Sequence, residues 1–278
     1  MIATAGLSLE QAPPLDLPRR LFLTAPLFAI AAALLLFDQT EAILATRWSP
    51  AALAATHLLT VGFLGSVMSG ALLQMLPVVA GAPVPRVRLL GTAIHALLTL
   101  GALGLALGFL HRWSLALGLG ALCAALGFGL LAVGALVALG RKRLYPVEPF
   151  TWPPLALLIT LVLGLLLTAA VLGWLPLPNR LAWVDWHARW WLFGWVGLLI
   201  VSVSLAVVPL FYVTSAYPRA LGSLGAPVLF VLLCLAGPWG HSPLLDWALA
   251  GGFALFALIS LRLLAQRARP RPDATLWH

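Results

Sequence analysis

Thr56 to Arg86 read THLLTVGFLGSVMSGALLQMLPVVAGAPVPR, and between Arg47 and Arg86 the chain carries no charged residue. A helix crosses the hydrocarbon of a bilayer with about 20 apolar residues. Lipid offers no partners to an open backbone, so an apolar run of this length reads as a transmembrane helix. Its one ionisable side chain before the closing arginine is His57.

The rest of the chain repeats this pattern. Of 278 residues, 62% are apolar and 9% charged, with a mean hydropathy of +1.05, where a soluble domain carries about a quarter charged residues. That balance excludes a soluble enzyme, a nucleic-acid binder and a disordered chain. The net charge of +8 does not restore nucleic acid as a partner, because the sixteen basic residues are scattered between apolar runs and not gathered on one face. Eight spans are expected, at 21–37, 52–79, 89–110, 113–140, 154–175, 187–212, 221–236 and 244–264. Before the first lies a polar, proline-containing stretch (Glu10 to Pro18) and no secretory signal pattern, so that first run is expected to be a retained span.

Loop charges set the expected orientation. Arg19, Arg20, Arg86, Arg88, Arg141, Lys142, Arg143, Arg219, Arg262, Arg267, Arg269 and Arg271 fall on one side; Arg47, Arg112, Arg180 and Arg189 fall on the other. The positive-inside rule then puts both termini in the cytoplasm, as for a bacterial-type inner-membrane protein. Ten of the twelve tryptophans lie near outer helix ends, more than an anchoring belt needs.

The halves can be overlaid. His57 matches His187 at an offset of 130, Pro77 matches Pro209 at 132, Pro85-Arg86 matches Pro218-Arg219 at 133, and His111 matches His241 at 130. The expectation is an all-α fold of two tandem four-helix units, 1–145 and 146–278. An even number of spans per unit gives the copies one orientation and corresponding residues equal depth.

In that arrangement His57, His111, His187 and His241 share the outer layer. His57 follows Pro50 by seven residues and His187 follows Arg180 by seven, which at 1.5 Å per residue places each roughly 10 Å below a helix start. An ionisable group inside a span is a functional-site candidate, and imidazole is both a common metal ligand and an axial ligand of haem iron. Two histidines on facing helices at one depth suit a bis-imidazole haem; interhelical hydrogen bonding is the competing role. His111 and His241 sit at expected helix exits and are the lesser metal candidates. His95 and His278 read as incidental.

The strip Gly62, Ser66, Gly70 on the second span would admit a neighbouring helix or a flat ligand. Asp38, Glu41, Asp185 and Asp246 could orient imidazoles as acceptors. Cys123 and Cys234 stand alone in apolar runs and read as small buried hydrophobes. No phosphate-binding glycine loop, paired-carboxylate site, zinc-protease helix or serine elbow is present, so hydrolysis and phosphoryl transfer have no support.

His57, Gly62-Phe63, Gly70, Pro77 and Gly81 resemble the NnrS family of haem- and copper-containing membrane proteins over about 30 residues. The same stretch looks like the second helix of haem-copper oxidase subunit I. The resemblance implies haem b bound through His57 and His187 between helices two and six, with a role in electron transfer or in binding nitric oxide or another small gas. It implies no oxygen reduction, because the histidine pair and tyrosine region of the copper site are not seen. The second copy, DWHARWWLFGWVGLLIVSVSLAVVPLFYV, keeps the His and the Pro but not the Gly spacing. Copper is an alternative cofactor, and membrane lipid plus a quinol or a cytochrome are the expected partners. Heme A synthase, whose Glu-x-x-His-Arg signature is absent here, a copper-handling protein and a non-metal transporter of parallel repeats are the competing readings.

Overall fold

The computed structural model describes residues 9–141, 148–237 and 242–268. After a short 3₁₀ turn, Leu9–Gln11, the helices are α1 (Asp16–Asp38), α2 (Thr40–Ala45), α3 (Pro50–Val79), α4 (Val87–Leu110), α5 (Ser114–Gly140), α6 (Glu148–Val171), α7 (Arg180–Tyr212), α8 (Arg219–Leu235) and α9 (Pro243–Ala265). Among the described residues there is no strand. Seven of the helices are long and apolar enough to cross a membrane, and α8, at 17 residues, is a shorter apolar helix. The chain is thus an all-helical, multi-pass membrane protein. α2 falls in a segment expected to be an outer loop.

Helix starts and internal prolines have local causes. Ser49 opens α3 by accepting from the Ala52 N–H at 3.1 Å, with Pro50 in the first turn, where a missing N–H costs nothing. Pro153 inside α6 cannot donate to the Pro149 carbonyl. The Ser202 hydroxyl of α7 lies 2.6 Å from that carbonyl, so a neighbouring helix satisfies what the proline leaves open.

Packing divides the chain into two compact units: Met1–Arg143 with Leu161–Pro178, and Leu144–Thr160 with Asn179–His278. In unit 1, α4 and α5 form a hairpin across His111, Arg112 and Trp113. A methyl added to Gly101, Gly104 or Gly108 would come within 2.5 to 2.7 Å of the α5 backbone, so the absence of side chains is what lets the two backbones meet. α1 closes over α3, with Phe28 on Gly62 and with Leu21 and Phe22 on Gly70. The small-residue strip of α3 is therefore filled by α1 and offers no seat for a flat ligand. His95 of α4 reaches α1 through its Nε2, 3.2 Å from Thr24 Oγ1.

Unit 2 is built around indole rings. Trp190 and Trp195 of α7 are fully buried, with Leu157 of α6, Leu198 of α7 and Leu233 of α8. Tyr217 stacks on Phe256 and hydrogen-bonds Ser260 at 2.9 Å, tying the turn before α8 to α9. The cysteines depart from expectation: Cys123 is only half-buried and Cys234 is exposed.

Candidate functional site: two wide turns and their histidines

α3 and α7 each leave α-helical winding for a stretch of π-helix, Leu58–Leu64 and Trp190–Gly197. The Gly65 N–H bonds the Thr60 carbonyl and the Leu198 N–H bonds the Phe193 carbonyl, both five residues back. Such wide turns are rare and recur at functional sites. Neither was anticipated from the sequence.

The turns put the two halves in register. Leu58 and Trp190, which open them, are 132 positions apart, as are Gly62 and Gly194, Gly65 and Gly197, and Pro77 and Pro209. Gly81 and Val213, also 132 apart, share a left-handed backbone with φ of 54° and 51°. The first two glycines are therefore repeated, contrary to the expectation that the second copy loses its Gly spacing. In this register the counterpart of His57 is Arg189, and His187 lies two residues earlier than an exact copy would.

The two imidazoles are held in different ways. His57, the residue before the first wide turn, is half-buried, its Nδ1 2.8 Å from the Leu53 carbonyl one turn back on its own helix. Its ring lies 5.0 Å from that of Phe109 on α4. The Nδ1 of His187 is 3.1 Å from the Thr160 carbonyl of α6. A carbonyl can only accept, so Nδ1 is the protonated nitrogen of each neutral ring and Nε2 carries the lone pair. A metal-binding histidine needs that tautomer, and an acceptor on its other nitrogen fixes it. For these two rings the Nδ1 acceptor is a backbone carbonyl; the carboxylate of Asp246 pairs with Arg189 at 2.9 Å.

His111 is exposed, ending α4 with its N–H on the Leu107 carbonyl, in keeping with a helix exit. His241 and His278 lie outside the described residues. Among the described residues no three His, Cys, Asp or Glu side chains are gathered as a compact metal centre would require. Haem iron asks for fewer protein ligands, and within its own unit each of His57 and His187 has the tautomer of an axial imidazole.

In unit 2 an aromatic series follows the helix down. Trp183 and Trp186 meet edge-on at 5.8 Å, Trp186 and Trp190 at 6.4 Å, and Trp190 and Phe230 at 5.1 Å. Trp186 donates to the Leu233 carbonyl at 3.3 Å. Trp190 and Trp195 are 1% and 0% exposed, and their indole N–H groups have no acceptor among the described residues. From the sequence, the Trp183 to Trp195 cluster reads as one that could pack against a porphyrin or admit a quinol, with an aromatic belt as the competing role; the burial of Trp190 and Trp195 is what the structure adds.

The chain matches no protein-family model, no curated protein and no solved structure.

Proposed function

We propose that this protein binds haem b with His57 and His187 as iron ligands, and that it serves in electron transfer or in binding nitric oxide or another small gas. The observation that supports this is the shared imidazole tautomer, Nδ1 held by a carbonyl and Nε2 left as the basic nitrogen, at or just before a wide turn in each unit. The resemblance of the α3 stretch to the NnrS and haem-copper oxidase group adds to it. When bound, haem would supply one-electron exchange or a coordination site for a diatomic gas, and the Leu53 and Thr160 carbonyls would fix the imidazoles that hold it.

In this reading α8 is an eighth span, the chain comprises two four-helix units, and both termini face the cytoplasm of a bacterial-type inner membrane. Copper handling has weaker support, because no three-residue ligand set is gathered among the described residues. The departure of His187 from the exact repeat position makes His57 the principal ligand; with both histidines as ligands, electron transfer is favoured over gas binding, which needs an open coordination position.

Absorption spectra of the oxidised and dithionite-reduced protein, with pyridine haemochrome and metal analysis of the same sample, test the proposal. About one b-type haem per chain is expected. A colourless protein from haem-replete cells would overturn it.

A further inference from the structure

α1 and α4 lie side by side in unit 1 and begin at the same end of it. A methyl added at Gly91 would meet Leu17 at 3.4 Å, and the Thr24 hydroxyl is 3.2 Å from His95 Nε2, so the two helices rise together. These contacts fix which residues border the seam. Arg20 and Asp16 stand one and two turns below Thr24 on the same side of α1, and Arg88 stands two turns below His95 on the same side of α4. Arg20 bends back to Asp16, 3.4 Å away, which leaves its guanidinium near the level of Leu17 and Gly91, about 5 Å in rise above the Arg88 backbone.

This end of the unit is rich in cations and poor in anions. Arg19, Arg20, Arg86, Arg88 and Arg141 lie there, against Glu10 and Asp16 among the described residues. The Asp16 carboxylate meets Arg20 in an exposed pair, which makes it a weak competitor for that guanidinium. Arg88 is exposed and has no hydrogen bond or ion pair among the described residues. Beyond the arginines the same two stripes turn apolar and stay uncovered: Leu27 and Leu34 of α1 are 62% and 64% exposed, and Leu103 of α4 is 46% exposed. A cationic mouth that opens onto a leucine track complements a molecule with a phosphate at one end and an acyl chain at the other. Inorganic phosphate would use the mouth alone.

We propose that the α1–α4 seam of unit 1 binds an anionic phospholipid, its phosphate between Arg20 and Arg88 and an acyl chain along Leu27, Leu34 and Leu103. Guanidinium forks suit phosphate oxygens, with which they form charge-assisted hydrogen bonds. The Thr24–His95 hydrogen bond clasps the two stripes just above the arginines. The repeat supplies no second copy of the site. At the offset of 132 shared by the wide turns, Arg20 and Arg88 correspond to Trp152 and Ala220, and Thr24 and His95 to Ala156 and Pro227. One such lipid per chain is therefore expected. The assignment uses unit 1 alone and does not rest on the haem reading.

The test is native mass spectrometry of the whole delipidated protein, titrated with dioleoylphosphatidylglycerol and, separately, with dioleoylphosphatidylcholine. One phosphatidylglycerol per chain is expected to bind at least about tenfold more tightly than phosphatidylcholine, the worth of one hydrogen bond to a charged group. Arg20→Gln and Arg88→Gln should each weaken phosphatidylglycerol by about the same factor. Arg141→Gln should leave it nearly unchanged: it removes the same charge at the same end of unit 1, but from α5, which packs on α4 away from the seam. Millimolar inorganic phosphate should not displace the lipid. Phosphatidylcholine bound as tightly as phosphatidylglycerol, an equal loss in Arg141→Gln, or displacement by phosphate would each overturn the proposal, the second by showing a general attraction of the charged end and the third by showing a site for the free anion. The two lipids compared on the unmodified protein decide the matter even if a variant fails to fold.

Discussion

At the wide turn of α3 the helix supplies gaps and its neighbours supply rings: Phe28 of α1 covers Gly62 and Phe128 of α5 covers Gly65. At the wide turn of α7 the helix supplies the rings itself, Trp190, Trp191 and Trp195, while the glycine between them accommodates Ala156 of α6. The backbone device is repeated and its filling is turned inside out. What precedes the turn also differs, an imidazole in one copy and an ion-paired guanidinium in the other. A duplicated winding thus fixes where a site can be built without fixing its chemistry, and the residue at the mouth of the turn decides what each copy offers.

Removing the histidines one at a time has the largest expected effect. His57→Ala is expected to abolish haem retention while membrane insertion continues, and His187→Ala to leave a measurable haem fraction with an altered reduced spectrum, both read by pyridine haemochrome. Equal and complete loss in both variants would make the two imidazoles equivalent despite their two-residue offset.

Next come the glycines. A methyl on Gly62 meets the root of the Phe28 side chain, which cannot swing aside, and Gly62→Ala is expected to destabilise unit 1 by about 3 kcal/mol. At Gly194 the nearest atoms are Trp190 Cε3 at 2.9 Å and Ala156 Cβ at 3.0 Å, and Gly194→Ala should cost only about 1 kcal/mol. Denaturant unfolding in detergent measures both, and a reversed order would mean that the first turn is the looser of the two.

The smallest effect separates the helix ends. After α3 the left-handed position is Gly81, and the Ala82 N–H reaches back six residues to the Leu76 carbonyl at 3.2 Å. After α7 the same position is Val213, a β-branched residue at φ 51°, which such side chains avoid. Val213→Gly should stabilise the protein by about 1 kcal/mol and Gly81→Ala should destabilise it by a similar amount, both read from thermal melts.

The spans were legible in the sequence because composition alone separates helix from loop in lipid. Their placement, from the run beginning near Pro50 to the one ending near Ala265, followed from uncharged length. The wide turns were not, since apolar periodicity carries little contrast in a helix that is apolar on every side. Of the offsets between 130 and 133 that the sequence offers, the wide turns share the 132 of Pro77 with Pro209, which the glycine pairs also carry and the histidine pairs do not. The contact of His57 with Leu53 is local and follows from helix geometry. That of His187 with Thr160 is tertiary, and no spacing within α7 encodes it.

The glycine seam of α4 and α5 also bears on how the protein is made. Its contacts join residues close in sequence across a three-residue turn, so closing the hairpin orders little intervening chain. As the polypeptide emerges from the ribosome, these two helices can pair in the bilayer while the tryptophan-bearing half is still untranslated. The ion pair of Arg189 with Asp246, by contrast, waits for one of the last helices synthesised. The α4–α5 hairpin can thus close early, while unit 1 as a whole is complete only once Leu161–Pro178 has been made.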